Sequence, residues 1–342
     1  MESILIVKFG ALGDVVRTAY ILPGLLEKYQ DAKIYWLTSN VSANLLRYNP
    51  FIHEIVTPGF NFESLLSKEF DLTLSFDDEI QTLELLKNIR TNKIIGAFLD
   101  GGKPAYDGQS APWFDMGLIS RFGKNRADEL KKLNTYQHND IFASLLGITI
   151  KEPSFFNSYI IERKTTKLFD NEYFNIGINS GADSRWFSKQ LLLEETISLM
   201  MSLLSSKIKN KQTRIYVLGG KNEVERHALL KKEINSNRVI DPGNDNSLLE
   251  FAAIIKHCDY LITSDSLALH LAISQRVKNL SFFTSTSAAE IGTFGTGVKL
   301  ISLSEDYCSY KKDADNKTIT AERILKEMYE HIRKCGISLG YD

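Results

Sequence analysis

The sequence predicts an α/β protein made of two doubly wound, mostly parallel sheets. Short apolar runs of strand length alternate with segments of helical periodicity along most of the chain, which is typical of βαβ units. The 342 residues are enough for two domains of ordinary size. A charged stretch over residues 151–169, containing Pro153, predicts the linker, so we expect an amino-terminal domain over residues 1–160 and a carboxyl-terminal domain over 161–342.

Composition limits the class of protein. With 43% hydrophobic and 24% charged residues the chain reads as soluble and globular, and a net charge of −1 gives no sign of a nucleic-acid binder. Three scattered cysteines without a CxxC pair indicate reduced thiols, not a disulfide framework or a zinc site. The first residues do not form a signal peptide, and no apolar window is long enough to span a membrane. We expect a cytoplasmic protein with at most peripheral contact with the inner face of the cytoplasmic membrane.

The first predicted strand leads to a candidate catalytic carboxylate. Ile4–Phe9 predicts a buried parallel strand, which a turn of small residues joins to a helix over Val15–Tyr29. The turn lacks both the GxGxxG spacing and a phosphate-loop lysine, so it does not predict a dinucleotide or ATP site. Asp14 ends this turn. It is either the N-cap of the helix or a general base that the helix dipole keeps ionised and ready to accept a hydroxyl proton.

The alternation of strands and helices continues to residue 97 and then disappears. Asp77 follows the fourth strand at the same edge of the sheet as Asp14, where it either touches an acceptor hydroxyl or caps the next helix. Residues 98–134 have no periodic pattern and mix glycines with aromatic and basic residues, as functional or mobile loops do. We interpret them as an acceptor-side loop in which Trp113 stacks on a sugar ring and Arg121 supplies positive charge. A solvated surface loop is the alternative.

Turns in the second half favour a phosphate-bearing ligand. Strands at Phe174–Asn179 and Thr213–Leu218 each lead into a turn of small residues before a helix. The free N–H groups and the helix dipole at such turns attract phosphate. Arg185 and Lys221 follow these two strands and add the cations that a diphosphate leaving group requires without a metal ion.

Two more turns of this kind lie between residues 259 and 297. Asp265 follows a predicted strand at Tyr260–Thr263, and a hydroxyl-rich loop that includes Thr286 follows the next strand. Asp265 is either an N-cap or a ligand-binding carboxylate. His270, on the apolar side of the helix between them, is either a satisfied core histidine or part of the same site.

Together the two halves indicate transfer of an activated group to a hydroxyl. In parallel α/β sheets ligands bind at the carboxyl ends of the strands, so two such sheets facing a cleft would present Asp14 on one side and phosphate-binding turns on the other. One domain would deprotonate the acceptor and the other would hold the diphosphate. The sequence has no paired catalytic carboxylates, Ser–His–Asp order or metal-ligand cluster, so we expect neither a metal nor a cofactor.

Several segments resemble a known family. ILIVKFGALGDVVRTAYILPGL and AKIYWLT resemble the amino terminus of the ADP-heptose:lipopolysaccharide heptosyltransferases, glycosyltransferase family 9. YLITSDSLALHLAI and FFTSTSAAEIGTFG resemble the donor-binding signature of that family. GINSGADSRWFSKQ and VLGGKNEVER fall where the family has its other two nucleotide-side turns. The resemblance covers nearly the whole chain, in order and at fitting spacings.

The resemblance implies a GT-B fold, with two Rossmann-like domains facing across a cleft, and inverting, metal-independent transfer. The donor would be an ADP-sugar carrying heptose or a related sugar, and the acceptor a hydroxyl of a cell-surface glycan or glycolipid such as the lipopolysaccharide core. Asp14 matches the catalytic aspartate of the family. The expected donor site consists of Gly13, Ser180, Ser184, Arg185, Gly219, Lys221, Glu223, Asp265, Ser266, His270 and Thr286, with Glu223 assigned to the ribose.

Departures from the family pattern cluster on the donor side. Leu267 stands where the family has glycine, and Thr284 and Ser285 replace Gly-Pro. Ser184 occupies the place of a lysine, so Arg185 is expected to supply the missing cation. Two alternatives therefore stay open. One is a nucleotide-sugar epimerase of the same build, and the other is a non-catalytic nucleotide-sugar-binding protein descended from a glycosyltransferase.

Overall fold

The computed structural model describes residues 2–181, 187–309 and 314–340 and divides the chain into two compact α/β units. The first unit comprises Met1–Phe156 with Ala289–Gly292, and the second comprises Asn157–Ala288 with Thr293–Asp342. The predicted linker is wrong in one respect, because Tyr159–Thr166 within it forms a helix of the second unit.

The first unit is built on a six-stranded sheet flanked by helices. Its strands are β1 (Ser3–Val7), β2 (Lys33–Leu37), β3 (Glu54–Val56), β4 (Glu69–Phe70), β5 (Leu72–Ser75), β6 (Arg90–Thr91), β7 (Ile94–Asp100) and β8 (Lys103–Tyr106). Its helices are α1 (Leu12–Thr18), α2 (Leu22–Lys28), α3 (Asn40–Leu46), α4 (Phe62–Leu66), α5 (Ile80–Leu86), α6 (Ala111–Phe114), α7 (Lys124–Leu133) and α8 (His138–Leu146). The sheet order is β3-β2-β1-β5-β7-β8, and β4 pairs with β6 separately.

All neighbours in this sheet are parallel except β7 and β8. The antiparallel pair is a hairpin whose two-residue loop, Gly101-Gly102, has φ angles of 55° and 78°. Glycine adopts this left-handed region without steric cost, and the loop matches the tight turns that join antiparallel strands. The sequence interpretation of residues 98–134 as an unpatterned loop is therefore wrong, since they contain the end of β7, all of β8, α6 and α7.

The predicted helix over Val15–Tyr29 is broken in the middle. Helix α1 ends at Thr18, a turn of 3₁₀ helix spans Ala19–Ile21, and α2 begins at Leu22. Pro23 explains the break, because proline lacks an N–H group and its ring clashes with the carbonyl four residues earlier.

The second unit is built on an eight-stranded sheet. Its strands are β9 (Phe174–Asn179), β10 (Lys207–Ile208), β11 (Lys211–Val217), β12 (Val239–Ile240), β13 (Tyr260–Ser264), β14 (Asn279–Phe283), β15 (Gly297–Ile301) and β16 (Leu339–Gly340). Its helices are α9 (Tyr159–Thr166), α10 (Leu193–Leu204), α11 (Val224–Ile234), α12 (Leu248–Lys256), α13 (Leu267–Ser274) and α14 (Ala321–Lys334), with 3₁₀ turns at Phe187–Lys189 and Lys221–Glu223.

In the order β15-β14-β13-β9-β11-β10-β16, with β12 paired to β11, two of the four predicted ligand-binding strands, β9 and β13, lie side by side in the centre of this sheet. Strands β9, β11, β13, β14 and β15 run parallel, so their carboxyl ends share one edge. Burial drives this arrangement, because β9, β13 and β14 are buried along their whole length. Among the described residues, no helix combines the length and the apolar character needed to cross a membrane.

Candidate functional site

In the first unit, the carboxyl end of β1 presents Asp14. The residue lies in the first turn of α1, directly after the buried Gly13, and its side chain is 34% exposed. The N-cap of α1 is Ala11, so the interpretation of Asp14 as an N-cap is wrong. One carboxylate oxygen, Oδ1, lies 3.0 Å from Nη2 of Arg17. The carboxylate is therefore accessible, near the positive end of a helix and paired with a guanidinium group.

The backbone leading to Asp14 is held by hydrogen bonds on both sides. The Phe9 N–H group donates to Oδ2 of Asp77 over 2.5 Å, and the Ser42 hydroxyl donates to the Phe9 carbonyl over 2.6 Å. The Thr38 hydroxyl donates to the carbonyl of Lys8 over 2.6 Å. Because both peptide groups before the turn are bonded to neighbouring elements, the position of Asp14 is well determined.

Asp77 therefore has a different role from either of those expected. It is 4% exposed and does not cap the next helix, whose N-cap is Glu79. Instead it bonds the Phe9 backbone and lies 3.9 Å from the ammonium group of Lys8. A carboxylate this buried, with its charge facing Lys8, supports the turn of β1 and is a poor candidate for acceptor contact.

Trp113 and Arg121, the other two expected acceptor contacts, are both engaged within the first unit. The Trp113 ring lies edge-on to His138 and to Phe142, with centroid separations of 5.0 Å and 5.4 Å, and the Arg17 guanidinium lies 5.2 Å from its centroid. Arg121 is exposed and pairs with Asp115 over 2.9 Å. The indole is thus part of the packing around Arg17, where the sequence predicted a free stacking surface.

In the second unit, the carboxyl end of β13 holds a buried ionic cluster. Asp265 Oδ2 lies 3.6 Å from the Lys189 ammonium group, and Oδ1 lies 3.6 Å from Nε2 of His270. Lys189 also donates to the Asp265 backbone carbonyl over 3.2 Å. We call Lys189, Asp265 and His270 the Asp265 cluster.

Electrostatics in the Asp265 cluster favour the ionised carboxylate. Burial by itself would raise the pKa of Asp265, but Lys189, His270 and the Thr286 hydroxyl outweigh it and hold that pKa well below its usual range. The N-cap of α13 is Ser266, so the N-cap interpretation of Asp265 is also wrong. The cluster thus keeps a cation, a carboxylate and an imidazole together at the carboxyl edge of the sheet.

Sequence reasoning did not identify Lys189. The sequence pattern assigned the cation to Arg185, because Ser184 stands in place of a lysine. Both residues lie outside the described part of the chain. The structure instead places a lysine in this cluster from the 3₁₀ turn Phe187–Lys189. A lysine three positions after Trp186 in the sequence was the available signal.

Hydroxyl groups connect the turns of this edge. The Asn179 amide donates to Thr263 and to Ser266, each over 3.2 Å, which joins the ends of β9 and β13. The Ser188 and Ser285 hydroxyls lie 2.5 Å apart in buried surroundings. The Thr284 hydroxyl adds a bond of 2.6 Å to the Ser188 carbonyl. Thr284 and Ser285, which replace Gly-Pro of the family pattern, therefore attach the Lys189 turn to the end of β14.

Glu223 lies against the turns after β9 and β11. Its carboxylate accepts a 2.8 Å hydrogen bond from the Gly220 N–H group, and the residue is 8% exposed. A Cβ atom on Gly181 would lie 2.5 Å from Glu223 Cγ, and one on Gly219 would lie 2.8 Å from its Cβ. Both positions therefore require glycine because the Glu223 side chain packs directly on the backbone there.

The remaining expected donor residues are divided between this region and the surface. Ser180, at the end of β9, is buried and its hydroxyl accepts a 3.1 Å hydrogen bond from Arg226. Lys221 points outward, with a 78% exposed side chain paired with Asp245 over 2.8 Å. No group of three or more histidine, cysteine, aspartate or glutamate side chains suited to a metal ion occurs in the ranges that the structure describes.

Part of the second unit matches the model of a known protein family. Residues 202–320 match the model of glycosyltransferase family 9 (heptosyltransferase). The chain is 20% identical, over 96% of its length and 98% of the relative, to lipopolysaccharide heptosyltransferase 1 of Campylobacter coli.

Two solved structures share the fold along the whole chain. One is the family 9 glycosyl transferase of Veillonella parvula, with a TM-score of 0.72 and 16% identity, covering 97% of this chain and 98% of that one. The other is the E. coli ADP-heptose lipopolysaccharide heptosyltransferase II, with a TM-score of 0.69 and 15% identity, covering 98% and 99%. The expected GT-B fold is confirmed by this likeness. Residues 202–320, much of the second unit, are thus similar to glycosyltransferase family 9 (heptosyltransferase), and the chain shares its fold with a solved family 9 glycosyl transferase and a solved heptosyltransferase.

Proposed function

We propose that the enzyme transfers a heptose, or a related sugar, from an ADP-sugar to a hydroxyl of a cell-surface glycan or glycolipid such as the lipopolysaccharide core, with inversion and without a metal ion. The Campylobacter relative is a lipopolysaccharide heptosyltransferase and the E. coli structure is that of an ADP-heptose enzyme, which supports this donor and acceptor. The observation that carries the proposal is the Asp265 cluster, because it sets a buried cation and imidazole beside a carboxylate at the ligand-binding edge of a parallel sheet.

The Asp265 cluster suits the sugar diphosphate of the donor. Lys189 supplies positive charge and His270 an imidazole N–H donor, and both stabilise the negative charge that grows on a departing diphosphate. Asp265, held ionised, is suited to accept hydrogen bonds from sugar hydroxyls. Glu223, packed on Gly181 and Gly219, is suited to the ribose, since its carboxylate lies at the same carboxyl edge.

Asp14 is proposed as the general base of the transfer. Its carboxylate takes the proton of the acceptor hydroxyl while the acceptor oxygen forms a bond to the anomeric carbon. The bond from that carbon to the diphosphate oxygen breaks, and its electron pair leaves with ADP. Attack opposite the leaving group inverts the anomeric configuration. No second carboxylate is needed, because the nucleophile is the acceptor itself.

Donor identity can be tested by binding. In a thermal-unfolding experiment with ADP, UDP, GDP and CDP, we expect ADP to raise the melting temperature most, since a ligand that binds only the native state adds stability by mass action. A larger shift with UDP or GDP would overturn the ADP assignment. Release of ADP from ADP-heptose, followed with and without lipopolysaccharide-core acceptor, then tests transfer itself, and acceptor-independent turnover would contradict the proposed acceptor class.

Peripheral membrane contact is part of the proposal, because a glycolipid acceptor is presented at a bilayer surface. Leu118 is 89% exposed and Phe122 53% exposed, in the segment between α6 and α7 that also carries Arg121, and Lys124 follows as the first residue of α7. Exposed apolar side chains beside cations are suited to anionic lipid surfaces. We expect sedimentation with phosphatidylglycerol vesicles to exceed that with phosphatidylcholine vesicles and to fall in the double variant L118S/F122S. Equal sedimentation with both vesicle types, or no loss in the variant, would rule out this surface.

A further inference from the structure

The first unit contains an arginine that the family resemblance did not assign. Arg17 follows Asp14 by one helical turn in α1, and its Nη2 atom lies 3.0 Å from Asp14 Oδ1. The Arg17 side chain is only 10% exposed, whereas the Asp14 side chain is 34% exposed. The guanidinium group is therefore behind the carboxylate, shielded from water, while the carboxylate remains accessible to an acceptor.

The position of Arg17 is set by an aromatic group. The Trp113 ring lies under the guanidinium, with 5.2 Å between Cζ and the ring centroid. A guanidinium packed on an indole loses rotational freedom and gains a cation–π attraction. Trp113 belongs to α6, far from Arg17 in sequence, so this contact exists only in the folded unit.

The aromatic group is itself fixed. His138 stacks on Phe142 with a centroid separation of 4.0 Å, and both rings meet Trp113 edge-on. His138 begins α8 and is 3% exposed. A continuous series of contacts therefore runs from α8 through Trp113 and Arg17 to the Asp14 carboxylate. The packing of the unit thus determines the orientation of that carboxylate.

We propose that Arg17 is a positioning residue for the general base: it orients the Asp14 carboxylate toward the acceptor and keeps it ionised, with Trp113 as the support that holds Arg17 in place. The proposal rests on the proposed role of Asp14 in transfer. A guanidinium group is suited to this task. It keeps its proton at working pH, and its N–H donors lie in a rigid plane from which two can bind one carboxylate.

Other charged groups of the first unit contact partners of their own. Helix α3, which packs on α1, carries no charged residue within Asn40–Leu46. At the end of β1, the Lys8 ammonium group faces Asp77. On α8, His138 lies against Trp113, and Lys131 of α7 is paired with Glu290 over 3.6 Å. Arg17 lies within ion-pair distance of Asp14, with 3.0 Å between Nη2 and Oδ1.

The proposal makes two different arginine substitutions behave differently. In Arg17→Met the positive charge is gone, so protonation of Asp14 should compete at higher pH. We expect kcat at neutral pH to fall on the order of 100-fold through misplacement of the carboxylate. The acid limb of the kcat profile should move to higher pH, because a neighbouring positive charge favours the ionised form of a carboxylate. In Arg17→Lys the charge remains but the planar fork is lost, so the acid limb should stay near that of the wild type while kcat falls.

Trp113 gives an independent test of the support. Trp113→Phe retains an aromatic face, whereas Trp113→Ala removes it, so we expect kcat to fall more in the alanine variant and ADP affinity to stay within about three-fold in both. Arg47→Met is the matched control for Arg17→Met. Arg47 is an exposed arginine of the same unit, and its Cζ atom lies 5.9 Å from the ring centroid of Tyr48.

The outcomes separate this proposal from the proposed function. If the wild type transfers sugar but Arg17→Met keeps its acid limb and a kcat within about three-fold, the positioning role is wrong while the function stands. If wild type shows no transfer with any ADP-sugar and acceptor tested, the function is wrong. Should Arg17→Met fail to fold by thermal unfolding, Arg17→Lys decides: an unchanged kcat refutes the role, and a reduced kcat with an unmoved acid limb supports it.

Discussion

The ammonium group of Lys189 lies 3.6 Å from the Asp265 carboxylate and donates a hydrogen bond to the backbone carbonyl of the same residue. The two residues come from different turns, one before α10 and one after β13. Their side chains are 17% and 14% exposed, so the pair is largely shielded from water. This relationship places a cation beside a buried carboxylate at the carboxyl edge of the second sheet.

Replacement of Lys189 is expected to weaken nucleotide binding. A charge-assisted hydrogen bond contributes about 1.5–3 kcal/mol, so Lys189→Met should raise the Kd for ADP by roughly 10–100-fold. Isothermal titration of the purified variant measures this. Lys256→Met is a suitable control, since Lys256 pairs with Glu162 on the surface of the same unit. Equal ADP affinity in the wild type and Lys189→Met would show that Lys189 does not contact the diphosphate.

Asp265 should make stability depend on pH in a defined direction. Its pKa is lowered in the folded state, so its contribution is present above the pKa of the unfolded chain, near 3.9, and is lost as pH falls toward the folded pKa. Asp265→Asn should cost about 3 kcal/mol at pH 7, as expected when one partner of a buried pair is removed. In urea unfolding at pH 7, 5, 4 and 3.5, the difference in free energy of unfolding between wild type and variant should become smaller below pH 4. A gap that is constant with pH would mean that the ionised form of Asp265 is not the stabilising one.

Asp14 should matter for chemistry and not for donor binding. Asp14→Asn removes the base and retains the shape, so kcat should fall by about 100- to 10,000-fold, the usual contribution of a positioned base. The Kd for ADP should change by no more than a few-fold. Asp140→Asn is the control, because Asp140 is an exposed acid in the first turn of another helix of the same unit. Turnover of Asp14→Asn at the wild-type rate is the result that would falsify the general-base role.

Chelation should leave the rate unchanged. In the proposed mechanism the Lys189 ammonium group balances diphosphate charge and His270 donates a hydrogen bond, so no divalent ion is needed. We expect initial rates with EDTA to equal those without it, and added Mg²⁺ to change them by less than two-fold at constant ionic strength. A loss of rate in EDTA that Mg²⁺ restores would contradict metal-free transfer. Ionic strength must be matched, because salt screens the same charges.

The fold was largely predictable from the sequence, and each element that the prediction missed has a specific physical cause. Strands β9, β13 and β14 are short runs buried along their whole length and β1 is buried from Ile4 to Val7, so local pattern and final structure agree. Helix α7 was missed because its sequence, KNRADELKKL, has only one fully buried residue, Ala127, and therefore little periodic signal. The hairpin of β7 and β8 was missed because the paired glycines were interpreted as part of a loop, although Gly-Gly between two short strands is a hairpin signal.

The candidate site was predictable in location but not in detail. Asp14, Asp265 and His270 were identified because they follow strands, and strand ends of a parallel sheet share one edge. The roles of Asp77 and Trp113 were not, because each depends on a partner distant in sequence: Phe9 for Asp77 and Arg17 for Trp113. Whether the identified residues act as proposed is left to the experiments above.

The sequence by itself determined the alternating α/β architecture and the edges at which polar side chains collect, because buried strands, helix periodicity and small-residue turns are local patterns. Only the tertiary structure decided which charges meet. The pairing of Lys189 with Asp265, the support of Arg17 by Trp113 and the packing of Glu223 on Gly181 and Gly219 all join segments that no local pattern relates. Such contacts arise when sheets and helices pack, since packing alone brings distant residues within a few ångströms of each other.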